Sequence, residues 1–219
     1  MMYRTAFILL LSMVLLASCN KEEDAPPAPQ EVPPPSLGAI GAYSNLQTGN
    51  YWVYQRYQVD SNDVIVQTLA VDSMVVMGDS LVNGALYKVM HRYILGGSGT
   101  SVRLWRDSLS YLISSTQGTL FCTDPLDEVI YTLYQGPVGV TLDYTVHSTP
   151  VPVSVGAGDF STYRMRSTIT SIGGFPQQPD WKALRSHWAE GVGRVRYYEF
   201  YSASLLGYRY DLLRYAVDQ

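Results

Sequence analysis

The chain of 219 residues lacks most of the features by which a sequence reveals its chemistry. It has only two cysteines, so a disulfide framework is excluded. Its three histidines, His91, His147 and His187, follow no metal-binding spacing. No Gly-x-Ser-x-Gly, Walker-type or helix-opening Gly-x-Gly-x-x-Gly motif occurs. We therefore expect no metal, no cofactor and no catalytic residue, and a protein that is not an enzyme.

The chain also lacks a large excess of either positive or negative charge. The chain has 15 basic and 19 acidic residues, a formal net charge of −4. Four of the acids, Glu22, Glu23, Asp24 and Glu31, precede residue 37, so the remainder is close to neutral. Without a basic face there is nothing to attract a phosphate backbone, and we expect no nucleic-acid partner.

Long apolar runs are absent apart from residues 6–17, which follow Arg4. This run is shorter than the roughly 20 residues that a membrane-spanning helix needs. It fits the apolar region of a secretory signal, which is usually about 7–15 residues long. The sequence therefore predicts a signal peptide over residues 1–18.

The segment Leu16-Ala17-Ser18-Cys19 resembles the lipobox of bacterial lipoprotein precursors. The resemblance implies cleavage before Cys19 and fatty acylation of Cys19, which would attach the mature chain to a membrane. Each buried methylene group contributes about 0.8 kcal/mol, so two or three acyl chains on one residue make a lasting anchor. The alternative is a cleaved secretory signal with an incidental cysteine.

Charged residues follow the predicted lipidation site at once. The segment Cys19-Asn20-Lys21-Glu22-Glu23-Asp24 resembles the export signal of Bacteroidetes surface lipoproteins. It implies attachment to the outer membrane with display at the cell surface, and attachment facing the periplasm is the alternative. Residues 19–36 are rich in proline and acidic residues, a composition that cannot build a core and favours an extended path. They are predicted to form a tether.

Residues 37–219 are predicted to form one antiparallel β domain. Short segments with period-two alternation, such as residues 51–59, are separated by turn signals, of which Asn83-Gly84 is the strongest. The pattern predicts an all-β fold made of a single curved sheet, a half-barrel or a barrel, and it does not exclude a sandwich. A break in the strand pattern is expected at residues 78–80, and a hairpin turn at residues 107–108.

At most one short helix is expected in this domain. Residues 179–189 are the candidate, because Asp180 can cap a helix and Trp181, Leu184 and Trp188 fall at helical spacing.

Three short segments carry a family resemblance. Residues 46–54 contain Gly-Asn-Tyr-Trp-Val-Tyr, residues 155–163 contain Ala-Gly-Asp-Phe, and residues 188–195 contain Gly-Val-Gly. Together they resemble uncharacterised Bacteroidetes outer-membrane lipoproteins. The resemblance implies an antiparallel β domain and no known reaction. We expect Gly191 and Gly193 to allow a bulge or a close backbone approach.

The predicted function is therefore non-enzymatic. We expect a binding or structural protein whose partner is a glycan, a protein or an apolar ligand. Trp52 and Tyr54 are the candidate ligand-facing aromatic residues, although a structural anchoring role is the favoured interpretation. One alternative is a carrier of lipid or of another hydrophobic ligand, or an envelope-assembly factor, with a half-barrel. A second alternative is a hydrolase of external polymers, which would need two convergent carboxylates.

The two cysteines offer a matched test of the anchor. We expect Cys19→Ser to abolish incorporation of labelled palmitate and to prevent formation of the acylated mature terminus. Cys122→Ser should leave both unchanged, because the acyl chains are predicted on Cys19 alone. Mass spectrometry of the purified protein measures the outcome, and a mature chain without fatty acid at position 19 would contradict the anchor.

Overall fold

The structure is a computed structural model that describes residues 36–95, 99–135, 140–171, 182–200 and 204–218. Its elements are α1 (Gly41–Ser44), β1 (Tyr51–Val59), β2 (Ile65–Val82), β3 (Ala85–Leu95), β4 (Thr100–Ser108), β5 (Tyr111–Ser114), β6 (Gly118–Cys122), β7 (Val129–Gln135), β8 (Val140–Val146), β9 (Val151–Val155), β10 (Gly158–Ser171), β11 (Arg185–Ala189), β12 (Gly193–Phe200) and β13 (Gly207–Ala216). The predicted all-β fold with at most one short helix is confirmed for the described residues, with the helix at Gly41–Ser44.

All strand pairs are antiparallel, and most join neighbours along the chain. The strand order is β6-β5-β4-β3-β2-β1-β13-β12-β11-β10-β8-β7, and β9 pairs with β10 away from this path. The pairing of β1 with β13 brings the first and last strands together in the middle of the sheet. The sheet curls into a nearly closed barrel, so the terminal strands β6 and β7 approach each other.

Tyr131 bridges the seam between these two terminal strands. Its ring, on β7, lies 3.5 Å from the position that a Cβ at Gly118 of β6 would occupy. Its hydroxyl donates to the carbonyl of Gln117 at 3.2 Å. Side-chain contacts therefore join the strands where backbone pairing stops.

The helical turn α1 contacts strands that lie far apart in the sheet order. Ser44 Oγ donates to Asp107 Oδ2 of β4 at 2.8 Å. The ring of Tyr43 packs on Phe121 of β6 and on Tyr163 of β10, at centroid distances of 5.3 and 6.1 Å. Because β4 and β6 are separated from β10 by most of the sheet order, these contacts require the sheet to be curled.

The core fills the barrel with large side chains from almost every strand. Phe121 stacks on Trp188 at 5.2 Å between centroids, and Tyr197 stacks on Tyr210 at 4.3 Å. Burying a large apolar side chain contributes about 1.5–3 kcal/mol, so this interior is the main stabilising feature of the fold.

Two predicted turns differ from the structure. The break expected at residues 78–80 is wrong: β2 runs through it, and the register shift between Val76 and Gly78 marks a bulge. The hairpin predicted around Asp107 and Ser108 is confirmed, but these two residues are paired and the turn lies at residues 109–110. The turn at Asn83-Gly84 is confirmed, since Val82 pairs with Ala85.

The helix predicted over residues 179–189 is wrong where the structure describes it. Residues 185–189 form β11, which pairs with β10 on one side and β12 on the other. Trp188 lies opposite Tyr163 and is buried. Pairing along both edges of β11 satisfies its backbone and overrides the helical spacing of the tryptophans. Residues 179–181 lie outside the described residues.

The predicted signal peptide, Cys19 and nearly all of the predicted tether also lie outside the described residues. Among the described residues, no helix is both long and apolar enough to cross a bilayer.

Two features require glycine at position 193, a positive φ and a close approach of other atoms, and only the positive φ applies to Gly49. Both glycines have a positive φ, +101° and +97°, which disfavours any residue with a Cβ. A Cβ at Gly193 would also lie 3.2 Å from Trp52 Nε1 and 3.4 Å from the carbonyl oxygen of Tyr43, whereas nothing lies within 4 Å at Gly49.

We expect Gly49→Ala to lower the free energy of unfolding by about 1–3 kcal/mol through backbone strain. Gly193→Ala should cost at least about 1 kcal/mol more, because the added methyl also crowds the Trp52 contact. Urea unfolding followed by tryptophan fluorescence measures both variants. Equal losses would contradict the close approach of α1 and β1 to Gly193.

Candidate functional site

The barrel interior holds a network of charged side chains that begins at Arg92 of β3. Its Nε donates to Asp72 Oδ2 at 2.9 Å, and its Nη2 donates to the same oxygen and to Tyr210 Oη at 3.0 Å. Asp72 has no solvent exposure. A fully buried carboxylate needs a charged partner, so Arg92 and Asp72 form one electrostatic unit.

Glu199 of β12 extends this network. It accepts a hydrogen bond from Tyr210 Oη at 2.8 Å, and its Oε1 lies 3.7 Å from both Arg92 Nη1 and Arg103 Nη2. Burial and the nearby charge of Arg194 both lower the pKa of Arg103. Two carboxylates therefore share the interior with three arginines, and one positive charge is in excess.

Arg194 carries that excess. It is only 8% exposed, and no carboxylate of the described residues forms an ion pair with it. Its guanidinium lies 3.7 Å from the ring centroid of Tyr197, and the rings of Trp105 and Trp188 are within 6 Å. Its Nη2 is 3.6 Å from the sulfur of Met74. Cation–π contacts stabilise this charge by about 2 kcal/mol when desolvated, but its Nε has no hydrogen-bond partner.

A partly open cavity of about 110 Å³ lies beside these arginines. Its charged lining comes from β4, β11 and β12, as Arg103, Arg185, Arg194 and Glu199. Its apolar lining comes from β6, β7, β8, β10 and the residue before β11, as Leu120, Tyr131, Tyr144, Met165 and Leu184. Tyr131 and Tyr144 stack with their centroids 4.4 Å apart, which makes that wall flat. The cavity is amphipathic, with cations on some strands and apolar groups on others.

The two aromatic residues singled out from the sequence lie in the interior but outside this lining. Trp52 is 4% exposed and donates its Nε1 proton to the carbonyl of Val192 at 2.7 Å. Tyr54 is 2% exposed and donates to the carbonyl of Arg194 at 2.8 Å. Both polar atoms bond to the chain at the entry to β12 and hold it against β1. These contacts support the anchoring role for both residues.

The remaining reactive side chains are dispersed. Cys122 is buried, its Sγ lies 3.2 Å from the carbonyl of Pro125, and burial raises its pKa to about 12, so the thiol is protonated at neutral pH. Asp127 contacts the imidazole of His147 at 3.5 Å at an exposed turn. Among the residues described, no three His, Cys, Asp or Glu side chains are grouped closely enough to hold a metal ion.

A second charged cluster surrounds His187 on β11. Its Nδ1 is 3.2 Å from Thr162 Oγ1, and Arg164 and Arg196 lie directly opposite it on the neighbouring strands. Burial is the main cause that lowers the pKa of His187 to about 4, and Arg196, Arg164 and Arg185 lower it further, while Asp63 opposes the shift. His187 is therefore neutral at physiological pH.

The motifs of the sequence do not indicate the arginines of the charged network or of the cavity. A usable signal was present, because Arg92, Arg103 and Arg194 each alternate with an apolar residue at a buried position two residues away, as Met90, Trp105 and Val192 respectively. A charged residue on the drier face of a strand indicates a polar site in the interior. The partners of each arginine come from distant strands, which alternation does not reveal.

Comparison with known proteins gives little beyond this geometry. No protein-family model matches the chain, and no curated protein sequence matches it. Among solved structures, one similar chain comes from Bacteroides fragilis and is named as an exported protein with a YmcC-like fold. It is 13% identical with a TM-score of 0.41, covering 80% of this chain and 98% of that one. A second, named as a lipoprotein from Parabacteroides distasonis, is 11% identical with a TM-score of 0.39, covering 80% and 97%. Both likenesses are loose at these scores.

The lowered pKa of His187 makes stability depend on pH. Below pH 6.5, the ordinary pKa of histidine, this residue is protonated in the unfolded chain. In the folded chain it stays neutral until the pH reaches about 4. The folded state should therefore lose up to about 3 kcal/mol from this residue as pH falls from 6.5 to 4, and none of it above pH 7.

We expect His187→Gln, which retains a hydrogen-bonding group for Thr162, to remove this contribution. Urea unfolding of both proteins at several pH values measures it, and their difference cancels the titration of carboxylates common to both. His91→Gln is the matched control, since His91 contacts Tyr93 on its own strand and not an arginine cluster. The same pH dependence in His187→Gln as in the parent would contradict the assignment.

Proposed function

We propose that this protein is a lipid-anchored envelope protein that binds a small, partly apolar molecule inside its barrel without transforming it. The observation that carries the proposal is the cavity between β4, β6, β7, β8, β10, β11 and β12, with arginines and stacked tyrosines in its lining. Concave sites with a mostly apolar wall and few polar groups are typical of small-molecule binding.

The size of the cavity bears on the type of ligand. At about 110 Å³ it is similar to the engineered apolar cavity of about 150 Å³ that accepts benzene. It is smaller than the 300–1,000 Å³ pockets that hold drug-sized ligands. A complete lipid does not fit within this volume. The proposed ligand is therefore a compact molecule, and the carrier alternative applies only in the sense of carrying a small cargo.

The interior carboxylates support binding over hydrolysis. Asp72 is bonded by Arg92, and Glu199 accepts from Tyr210 and faces two arginines. A glycosidase needs two carboxyl groups that face a substrate across a gap of about 5–9.5 Å and are available to exchange protons. Here both carboxylates already serve as counter-ions, so hydrolysis of an external polymer is the weaker proposal.

The proposed location is the outer membrane, with the barrel at the cell surface. The support is the lipobox ending at Cys19, the acidic segment that follows Lys21, and the proline-rich tether before residue 37. A tether of this composition is extended and would hold the binding domain away from the lipid surface.

The methionines provide reporters of the proposed cavity. The mature chain predicted from the lipobox keeps Met74, Met77, Met90 and Met165. Met165 lines the cavity, whereas Met77 is 50% exposed. With the full lipid-anchored chain in nanodiscs and ¹³C-labelled methionine methyl groups, we expect benzyl alcohol to shift the Met165 resonance saturably and to leave Met77 unchanged.

A pair of variants controls for binding elsewhere. Leu184→Trp should fill the cavity and abolish the Met165 shift, because Leu184 belongs to its lining. Leu205→Trp should preserve the shift, since Leu205 is an exposed residue outside the lining. Binding that survives Leu184→Trp in a folded protein, or no saturable shift in the parent, would contradict the proposed site.

A further inference from the structure

We propose that the ligand of the cavity is a small organic anion with a compact apolar body, such as a carboxylate, held by Arg194 and Arg103. This inference rests on the proposed function, because it names the chemical class of the molecule that the cavity receives.

The first support is the charge balance of the interior. Arg92 is compensated by Asp72, and Arg103 by Glu199, which also faces Arg92. Arg194 has no carboxylate partner among the described residues. A buried charge without a counter-ion is costly, and a bound anion would supply one.

The second support is a set of buried donors without partners. Arg194 Nε, Tyr197 Oη and Trp105 Nε1 have no hydrogen-bond partner and no solvent contact. Arg194 and Tyr197 belong to the cavity lining, and the ring of Tyr197 lies against the Arg194 guanidinium. Buried polar groups are almost always paired in folded proteins. A carboxylate accepts several hydrogen bonds at once and would pair the donors that border the cavity.

The third support is the apolar part of the lining. Tyr131 and Tyr144 form a flat stacked wall, and Met165 adds a flexible apolar side chain. A planar or short aliphatic body would pack on this wall while its carboxylate faces Arg194. An inorganic anion would satisfy the charge but leave the wall without a partner, so we expect chloride to compete weakly.

Benzoate and benzyl alcohol test the charge directly, because they have similar size and differ in charge. Using the full lipid-anchored chain in nanodiscs with labelled methionines, we expect benzoate to bind at least about tenfold more tightly than benzyl alcohol. Benzoate should shift Met165 and also Met74, whose sulfur lies 3.6 Å from Arg194 Nη2. Benzyl alcohol should shift Met165 with little effect on Met74.

Arginine variants locate the anion. Arg194→Gln should weaken benzoate by about tenfold or more and leave benzyl alcohol nearly unchanged. Arg103→Gln should also weaken benzoate, and it provides the test if Arg194→Gln does not fold. Arg106→Gln is the matched control, because Arg106 lies on the same strand as Arg103 but faces Tyr87 outside the lining. Its affinity for benzoate should equal that of the parent.

The outcomes separate the two proposals. If benzyl alcohol binds as tightly as benzoate, the proposal of an anionic ligand is wrong, whereas the proposal that the cavity binds small molecules stands. The anion site is also wrong if benzoate binding survives both Arg194→Gln and Arg103→Gln in folded proteins. If neither compound shifts Met165, the cavity does not bind small molecules and both proposals are overturned.

Discussion

The pairing of Arg92 with Asp72 is the interaction on which the polar interior depends. It joins β3 to β2 at a position without solvent, and Tyr210 links it onward to Glu199 on β12. These contacts cross the barrel, so they require the sheet to be curled as it is. A buried ion pair is weak evidence for stability, since well-packed apolar residues can be equally favourable. The pairing does fix the position of the negative charge of Glu199. Arg92 and Tyr210, which are held by the pair, keep Glu199 beside Arg103.

The position of the cavity follows from the way the sheet closes. Twelve strands curl until β6 and β7 meet, but side chains join them where the backbone ladder ends. Tyr131 at this seam also stacks on Tyr144 and lines the cavity. At the opposite part of the lining, β12 follows the close approach at Gly193 and places Arg194 among aromatic rings. The seam therefore supplies the stacked tyrosines of the apolar wall, and β12 supplies the guanidinium of Arg194.

The fold was largely predictable because its information is local. Alternation and the Asn83-Gly84 turn specify strands and hairpins that mostly pair with their neighbours in the chain. The helix predicted near Trp188 is wrong because the segment pairs with two strands. That pairing outweighs the helical spacing of its large apolar residues. The site was not predictable in the same way. Arg92 meets Asp72 twenty residues away and Tyr210 more than a hundred away, so its role depends on register across the whole sheet.

The unpaired cation has a physical consequence for the protein without a ligand. Arg194 gains from the rings of Tyr197, Trp105 and Trp188, but these contacts do not provide hydrogen-bond acceptors for its Nε. The rings hold the guanidinium in place without neutralising it, and the apolar surroundings strengthen its field in the cavity. A chain with net charge −4 thus maintains a small positive interior. Such a preorganised site would bind the proposed anion without having to reorganise, since the cost of burying the cation is already met during folding.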